Sequence, residues 1–342
     1  MGCSVPIEHS TPLLPPTLTA RDYFDRGVAA SEKGELDQAI DDFTKAIEID
    51  PKLARAYANR GIAYREKGNY DLAIADYTKA IEIDPTDPQI YIKRAYAYYE
   101  DKGALDLALT DFDKAIELNP NLASAYNGRG LVNSDKGDFD QAIADFTKAI
   151  EIDPNYAKAY DSRGIAYALK GNFDQAIADF SRAIEIDPKN ALAYNNRGLA
   201  NYHLRNFDQA IVDYTKSVEV DPTYAQAYIN RGNAYDAKGD VTQALSDYQK
   251  AIELNPTDAQ PYYERGVTYG STGDLDEAIA DYNKAIELDP KYVSAYLNRG
   301  LAYRQKGLKE QAIADLEMYL QLAPDAPDRV QVEQLISELK GK

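Results

Sequence analysis

The sequence repeats one arginine and one aspartate nine times at almost constant spacing. The arginines are Arg26, Arg60, Arg94, Arg129, Arg163, Arg197, Arg231, Arg265 and Arg299, and the aspartates are Asp42, Asp76, Asp111, Asp145, Asp179, Asp213, Asp247, Asp281 and Asp315. A guanidinium stays charged and pairs well with a carboxylate. Such rows suit either structural ion pairs or the binding of an anionic partner. Nine catalytic arginines would have no chemical use, so we expect an ion-pair ladder.

Each arginine has two candidate partners. Asp42 and Asp76 are both level with Arg60 if the intervening turns join antiparallel helices. The interval from an aspartate to the next arginine is 18 residues in all eight cases, whereas the interval from arginine to aspartate changes from 16 to 17 in the third repeat. We therefore predict that each aspartate pairs with the arginine of the following repeat, as Asp145 with Arg163, although pairing within the repeat is also possible.

Other reactive side chains are scarce. Cys3 is the single cysteine, and the two histidines, His9 and His203, lie far apart in different kinds of sequence. This excludes an intrachain disulfide, a cysteine metal cluster and a histidine-based triad. We expect no catalytic residues, no metal and no cofactor.

Charge and hydropathy exclude further classes of function. The formal net charge of −18 disfavours binding to nucleic acid, because an acidic surface repels phosphates. Its carboxylates are expected mainly on solvated helix faces, paired with lysines three residues away, and so do not by themselves indicate a basic partner. No apolar stretch approaches the roughly 20 residues that span a bilayer.

The helices predicted to carry the arginine and aspartate rows form a regular array. Prolines recur every 34 residues, with one interval of 35, at Pro51, Pro85, Pro120, Pro154, Pro188, Pro222, Pro256, Pro290 and Pro324. Between them, apolar residues recur at steps of three and four, which is helix spacing. A glycine in the middle and a proline at the end punctuate two helices per repeat. Columns of tyrosine, glycine and alanine are expected to form the core.

The motif AYANRGIAYREKGNYDLAIADYTKAIEIDP resembles the tetratricopeptide repeat family, and the resemblance extends over residues 20–326. It implies an all-α fold: an α-solenoid of nine helix-turn-helix repeats in a right-handed superhelix with a concave groove. Stacking agrees with the physics, since one helical hairpin has too little core by itself. Residues 327–342 carry an apolar stripe and are expected to form a C-terminal capping helix.

The resemblance implies a non-catalytic scaffold that binds a partner protein or peptide in the groove. The residues predicted to line a binding site around repeats 3 to 6 are Tyr96, Tyr99, Asn127, Asn195, Tyr202 and His203. Tyr202 comes one residue after the usual tyrosine position and is expected to be rotated out of the hairpin core. Two alternatives stay open: a self-assembling structural protein, hence a homo-oligomer, and the repeat region of an enzyme whose catalytic domain is absent.

Two segments depart from the array. Residues 1–19 are rich in Pro, Ser and Thr and are expected to be disordered. We expect the protein to be cytoplasmic. The alternative is a lipid anchor on Cys3 if an upstream signal is missing. The third repeat has an extra residue near Lys102 and has Ala95 in place of glycine, which predicts a longer or distorted turn.

Overall fold

A computed structural model describes residues 18–100 and 104–341. The expectations for the N-terminal segment, for Cys3 and for the turn at residues 101–103 lie outside these described residues. Within them the chain forms 19 α-helices and no strand, as the all-α prediction requires. Repeat 1 consists of α1 and α2, repeat 2 of α3 and α4, and so on to α17 and α18 in repeat 9, which confirms nine helical pairs.

The chain divides into two compact units, residues 1–154 and residues 155–342. The first contains α1 (Ala20–Glu32), α2 (Leu36–Ile49), α3 (Ala54–Glu66), α4 (Tyr70–Ile83), α5 (Pro88–Glu100), α6 (Leu105–Leu118), α7 (Ala123–Asp135) and α8 (Phe139–Ile152). The second contains α9 (Ala157–Leu169), α10 (Phe173–Ile186), α11 (Ala191–His203), α12 (Phe207–Val220), α13 (Ala225–Ala237), α14 (Val241–Leu254), α15 (Ala259–Thr272), α16 (Leu275–Leu288), α17 (Val293–Gln305), α18 (Lys309–Leu322) and α19 (Arg329–Leu339).

The two helices of a repeat have different neighbours. Within each unit, successive first helices contact one another, as α3 with α5 and α11 with α13. No two second helices do so among the described residues. The first helices therefore form one face of each unit, which we call the first-helix face.

Local chemistry sets the two kinds of turn. Each second helix ends one residue before an Asp-Pro or Asn-Pro pair, except that Ala323 precedes Pro324 after α18; at Asp84 the side chain accepts from the backbone N–H of Thr86 at 3.0 Å. This Asx turn redirects the chain where proline stops the helix. Between the helices of a repeat, a glycine takes positive φ, as Gly68 does at 76°. In repeat 6 Arg205 occupies this position with φ 62°, the one non-glycine residue of the described chain at positive φ.

In seven of the nine repeats an aromatic ring packs against the glycine of the same repeat, whereas Ala95 replaces the glycine in repeat 3 and Leu316 replaces the ring in repeat 9. Gly164 faces Phe180, and Gly198 faces Tyr214, so closely that a Cβ on either glycine would lie 2.7 Å from a ring carbon. The alanine columns, as at Ala176, are fully buried. The tyrosine column that begins at Tyr57 is predicted to be core. Most of its rings are instead half-buried and lie beside an arginine.

The predicted pairing of each aspartate with the next repeat is wrong. Every recurrent arginine makes its two-pronged contact with the aspartate of its own repeat. In repeat 7, Arg231 donates from Nε and Nη2 to Asp247, both at 2.7 Å. Arg163 likewise pairs with Asp179 and not with Asp145. The Asp76 carboxylate, by accepting such bonds, raises the pKa of Arg60.

The arginine also connects neighbouring repeats, through its third nitrogen. Nη1 of Arg60 donates to Thr44 at 2.9 Å, and Nη1 of Arg231 donates to Thr215 at 3.2 Å. The acceptor stands two residues after the preceding repeat's aspartate. The stacking register is thus set partly by the arginine, as expected, but through a neighbouring hydroxyl, an amide or, at Asp113, a carboxylate.

Surface charges pair as the sequence predicted. On the second helices, lysine or arginine meets glutamate three residues later, as Lys148 with Glu151 and Lys216 with Glu219. A second set joins successive repeats, with Lys136 donating to Asp106 at 2.7 Å. Exposed pairs of this kind are screened by water and contribute little to stability, so they shape the surface more than they stabilise it.

The C-terminal helix α19 packs on α18. Val332 and Ile336 are buried against Leu316 and Tyr319. These contacts cover apolar surface of the last repeat.

Candidate functional site on the first-helix face

The three predicted site residues of the first unit differ in accessibility. Tyr99 is half-buried, and its hydroxyl donates to Asp135 at 2.8 Å; burial and this bond raise its pKa to about 12. Tyr96 is half-buried with its ring edge-on to Phe112, at 5.2 Å between centroids. Asn127 is buried, and its side-chain oxygen has no hydrogen-bond partner among the described residues.

The three predicted residues of the second unit also differ. His203 is exposed and its ring is stacked on Phe173, at 4.9 Å between centroids. Asn195 is buried and accepts from the Asn230 amide at 2.9 Å. In their present conformations Asn127 and Asn195 therefore bond within the scaffold or lie inside it, not on open surface.

Tyr202 lies at the edge of the hairpin core and does not point clear of it. Its ring packs beside the cluster that contains Tyr214 and lies 5.3 Å from the ring of Phe207. The usual tyrosine position is taken by Asn201, which is buried and donates to Asp213 at 3.1 Å. Asn201 thus takes the place of the usual tyrosine and donates a hydrogen bond to the Arg197–Asp213 ion pair. Tyr202 stays half-buried.

Asparagines link successive first helices of the second unit. Asn196 reaches Asp161 at 3.5 Å, and Asn298 donates to the hydroxyl of Tyr263 at 3.0 Å. Each bond joins residues 35 apart, so a side chain at one fixed position contacts the previous first helix. These asparagines therefore have a structural role in the second unit.

An apolar recess opens between α9, α10 and α11. Its volume is about 360 Å³, and its walls include Ile165, Leu169, Phe173, Leu199 and His203. Pockets that bind small groups in proteins have volumes from roughly 300 Å³ upward and are mostly apolar. We call it the α9–α11 recess; of the six predicted residues it contains His203.

Sequence reasoning missed Leu169, which is 60% exposed at the rim of the recess. A signal was present: in the other described repeats its position holds polar or small residues such as Glu66, Asp135 and Gln305. Leu204 likewise stands where most repeats have lysine, as at Lys238. Apolar residues that interrupt a polar column mark surface that the repeat fold does not require.

Three half-buried carboxylates lie on the same face. Burial raises the pKa of Asp161, against the opposing effect of Asn196. Burial also raises the pKa of Glu264, and the nearby Asp236 adds to this effect. None of the three is in a salt bridge within residues 18–100 and 104–341. This arrangement differs from the paired carboxylates of the second helices.

The described residues contain no cluster of three or more His, Cys, Asp or Glu side chains placed to hold a metal ion. Among the same residues, no helix combines the length and the hydropathy of a membrane span.

Family comparisons agree with the repeat geometry. A family model described as "TPR repeat" matches residues 29–64, 101–137, 164–204, 232–273 and 268–307. Models described as "Tetratricopeptide repeat" match 54–87, 123–156 and 191–224, then 146–178 and 213–246, and finally 293–325. A search of curated proteins produced no match at the threshold applied.

Solved structures share the fold. The structure titled "Crystal structure of APC/C hetero-tetramer Cut9-Hcn1" is 18% identical with a TM-score of 0.58, covering 94% of this chain and 76% of that one. The structure titled "Crystal Structure of the Yeast Tom70" is 19% identical with a TM-score of 0.52, covering 94% and 89%. Folds of this kind typically serve as non-catalytic protein–protein interaction scaffolds. On the matched repeats and the paired-helix architecture, the chain belongs to the tetratricopeptide repeat family.

Proposed function

We propose that this chain is a non-catalytic scaffold that binds a segment of a partner protein on its first-helix face. The observation that carries the proposal is a contrast between the repeats of this chain. Core positions hold similar residues in most repeats, whereas exposed first-helix positions differ from repeat to repeat. Leu169 and His203, for example, share one position with Glu66 and Gln305, although all four repeats have the recurrent Arg–Asp pair and the same buried alanines. Packing does not account for that divergence, whereas recognition of a particular partner does.

The chemistry of this face suits peptide recognition. In the first unit Tyr99 offers a half-buried ring with a polar tip; in the second unit Tyr202 does the same, and the α9–α11 recess offers apolar surface. Interface anchors are enriched in aromatic residues that sit in partly desolvated surroundings. The second helices present mainly paired charges, which contribute little to affinity when they are exposed.

The proposal is tested by capturing a partner and mapping its contacts. A photo-crosslinking amino acid placed at Tyr99 or Leu199 samples the first-helix face, and the same group at Leu107 or Val212 samples second helices. We expect the first two positions to crosslink to a captured partner and the last two to give none. Crosslinks confined to the second helices would refute binding on the first-helix face.

A further inference from the structure

The rim of the α9–α11 recess exposes large apolar side chains next to one another. Leu169 is 60% exposed, Leu199 39% and Ile165 37%. Covering apolar side chains of this size removes them from water, which is favourable. An inserted apolar group would therefore gain from several contacts at once, with the Phe173 and His203 rings forming one wall.

Carboxylates lie near this recess. Asp161 is joined to Asn196, which itself lines the recess. Beyond His203, the ring of Tyr202 lies 6.3 Å from the His203 ring, and burial together with the nearby charges of Glu264 and Asp236 raises the pKa of Tyr202.

Arg205 is one basic group near this region. Its guanidinium lies over the ring of Phe207, 5.7 Å from the centroid, and its charge lowers the pKa of Tyr202 against the larger effect of burial. It forms no salt bridge with Asp161, Asp236 or Glu264 within the described part of the chain. These three carboxylates thus have no salt-bridge partner among the described residues.

Resting on the proposed function, we infer that the α9–α11 recess takes one large apolar side chain of a partner segment that carries lysine or arginine beside it. The apolar side chain fills the recess between Leu169 and Leu199. The basic side chains meet Asp161, Asp236 and Glu264. The occupant is thus a basic peptide segment with an aliphatic or aromatic anchor, chosen by charge complementarity.

The experiment selects peptides without prior choice of sequence. A phage library of random 12-residue peptides is panned on the full chain, and the enriched peptides are synthesised with a fluorescent label. Affinity is then measured by anisotropy on the full chain and on variants. We expect enriched peptides to carry Leu, Ile or Phe next to Lys or Arg, and their affinity to fall with added salt, because screening weakens charge pairing.

Two variants locate the site, and one matched control accompanies them. Leu169→Gln removes the apolar rim and should weaken binding about tenfold, a factor that corresponds to about 1.4 kcal/mol. Leu107→Gln is the same change at another exposed leucine, 52% exposed in a position where six repeats have glutamine, and should leave affinity unchanged. The triple variant Asp161→Asn, Asp236→Asn, Glu264→Gln should weaken binding and flatten the salt dependence. Circular dichroism melts verify that each variant is folded.

The outcomes separate the two proposals. Enriched peptides that are acidic or neutral, or that bind Leu169→Gln as well as the parent, would overturn the recess inference while leaving first-helix binding intact. Failure to enrich any peptide above an unrelated folded protein would count against both. Equal losses from Leu169→Gln and Leu107→Gln would also overturn the inference, since the effect would then not be local.

Discussion

The ring of Phe112 lies against Gly128 of the following repeat. In the seven repeats that have both the glycine and the ring, the ring fills the space above the glycine of its own repeat, where a Cβ would lie about 2.6–2.8 Å from a ring carbon. Ala95 already has that Cβ in repeat 3, and a Cβ added to Gly128 would overlap two carbons of the Phe112 ring. Two departures from the repeat pattern are thus one packing change.

Gly128→Ala should therefore destabilise the chain by about 1–3 kcal/mol, the usual cost of overpacking a core. Ser162→Ala, at the same position of the next repeat, should have little effect. Adding Ala95→Gly to Gly128→Ala should recover part of the loss, because Phe112 can then return to its own repeat. Denaturant unfolding measures all four chains, and equal losses with and without Ala95→Gly would reject the coupling.

Breaking an ion pair should identify its true partner. Arg231 and Asp247 are 16% and 7% exposed, and removing one member of such a pair costs on the order of 3 kcal/mol. In double-mutant cycles with leucine, we expect strong coupling between Arg231 and Asp247. The cycle of Arg231 with Asp213, the aspartate of the preceding repeat, should be close to additive. The opposite ranking of the two cycles would contradict the observed pairing.

The turn of repeat 6 should be improved by glycine. Arg205 holds φ at 62°, a region that costs a side-chain-bearing residue about 1 kcal/mol or more. Arg205→Gly should raise the stability by roughly that amount. Gly239 has the same position in the next repeat, with φ at 81°, and Gly239→Arg, the reverse substitution, should lower the stability. Thermal melts of both variants give the comparison, and a loss of stability in Arg205→Gly would mean that the contact with Phe207 outweighs the strain.

The unpaired carboxylates should lower stability at neutral pH. The pKa values of Asp161 and Glu264 are raised on folding, so the native chain holds these protons more tightly than the unfolded chain does. Their contribution to stability is therefore fully present below the ordinary carboxyl pKa and is lost as the pH rises through the folded pKa.

Asp161→Asn and Glu264→Gln should accordingly melt at a higher temperature than the parent chain at pH 7. The difference should shrink as the pH is lowered toward the ordinary carboxyl range, because the raised pKa values let the parent side chains take up protons there. Glu219→Gln serves as a control, because Glu219 is exposed and paired with Lys216, and it should give no gain. A gain that grows at lower pH would contradict the assigned direction of the pKa shifts.

Removal of the last helix should loosen the end of the array. Deleting residues 328–342 exposes Leu316 and Tyr319, which α19 covers through Val332 and Ile336. Because each repeat contacts only its neighbours, we expect hydrogen exchange to accelerate in α17 and α18 and to be unchanged in α9. Uniform acceleration, or none near Ile313, would argue against a capping role.

The sequence by itself determined the helical array. The 34-residue period, the turn glycines and the Asp-Pro or Asn-Pro pairs are local signals, and each acts on the backbone within a few residues. They define the helix pairs and the existence of an Arg–Asp ladder without reference to distant contacts. The interrupted columns at Ala95 and Gly128 were also visible, but as two separate facts.

The contacts between side chains depend on the tertiary packing of the helices. Arg60 is level with both Asp42 and Asp76, so spacing along the chain does not identify its partner. The partner depends on how each helix is rotated about its own axis. The same rotation buries Asn127 and Asn195 and holds Tyr202 at the edge of the core. A one-residue step turns a side chain by about 100°, but packing fixes where that turn points, and Leu169 reaches the recess for the same reason.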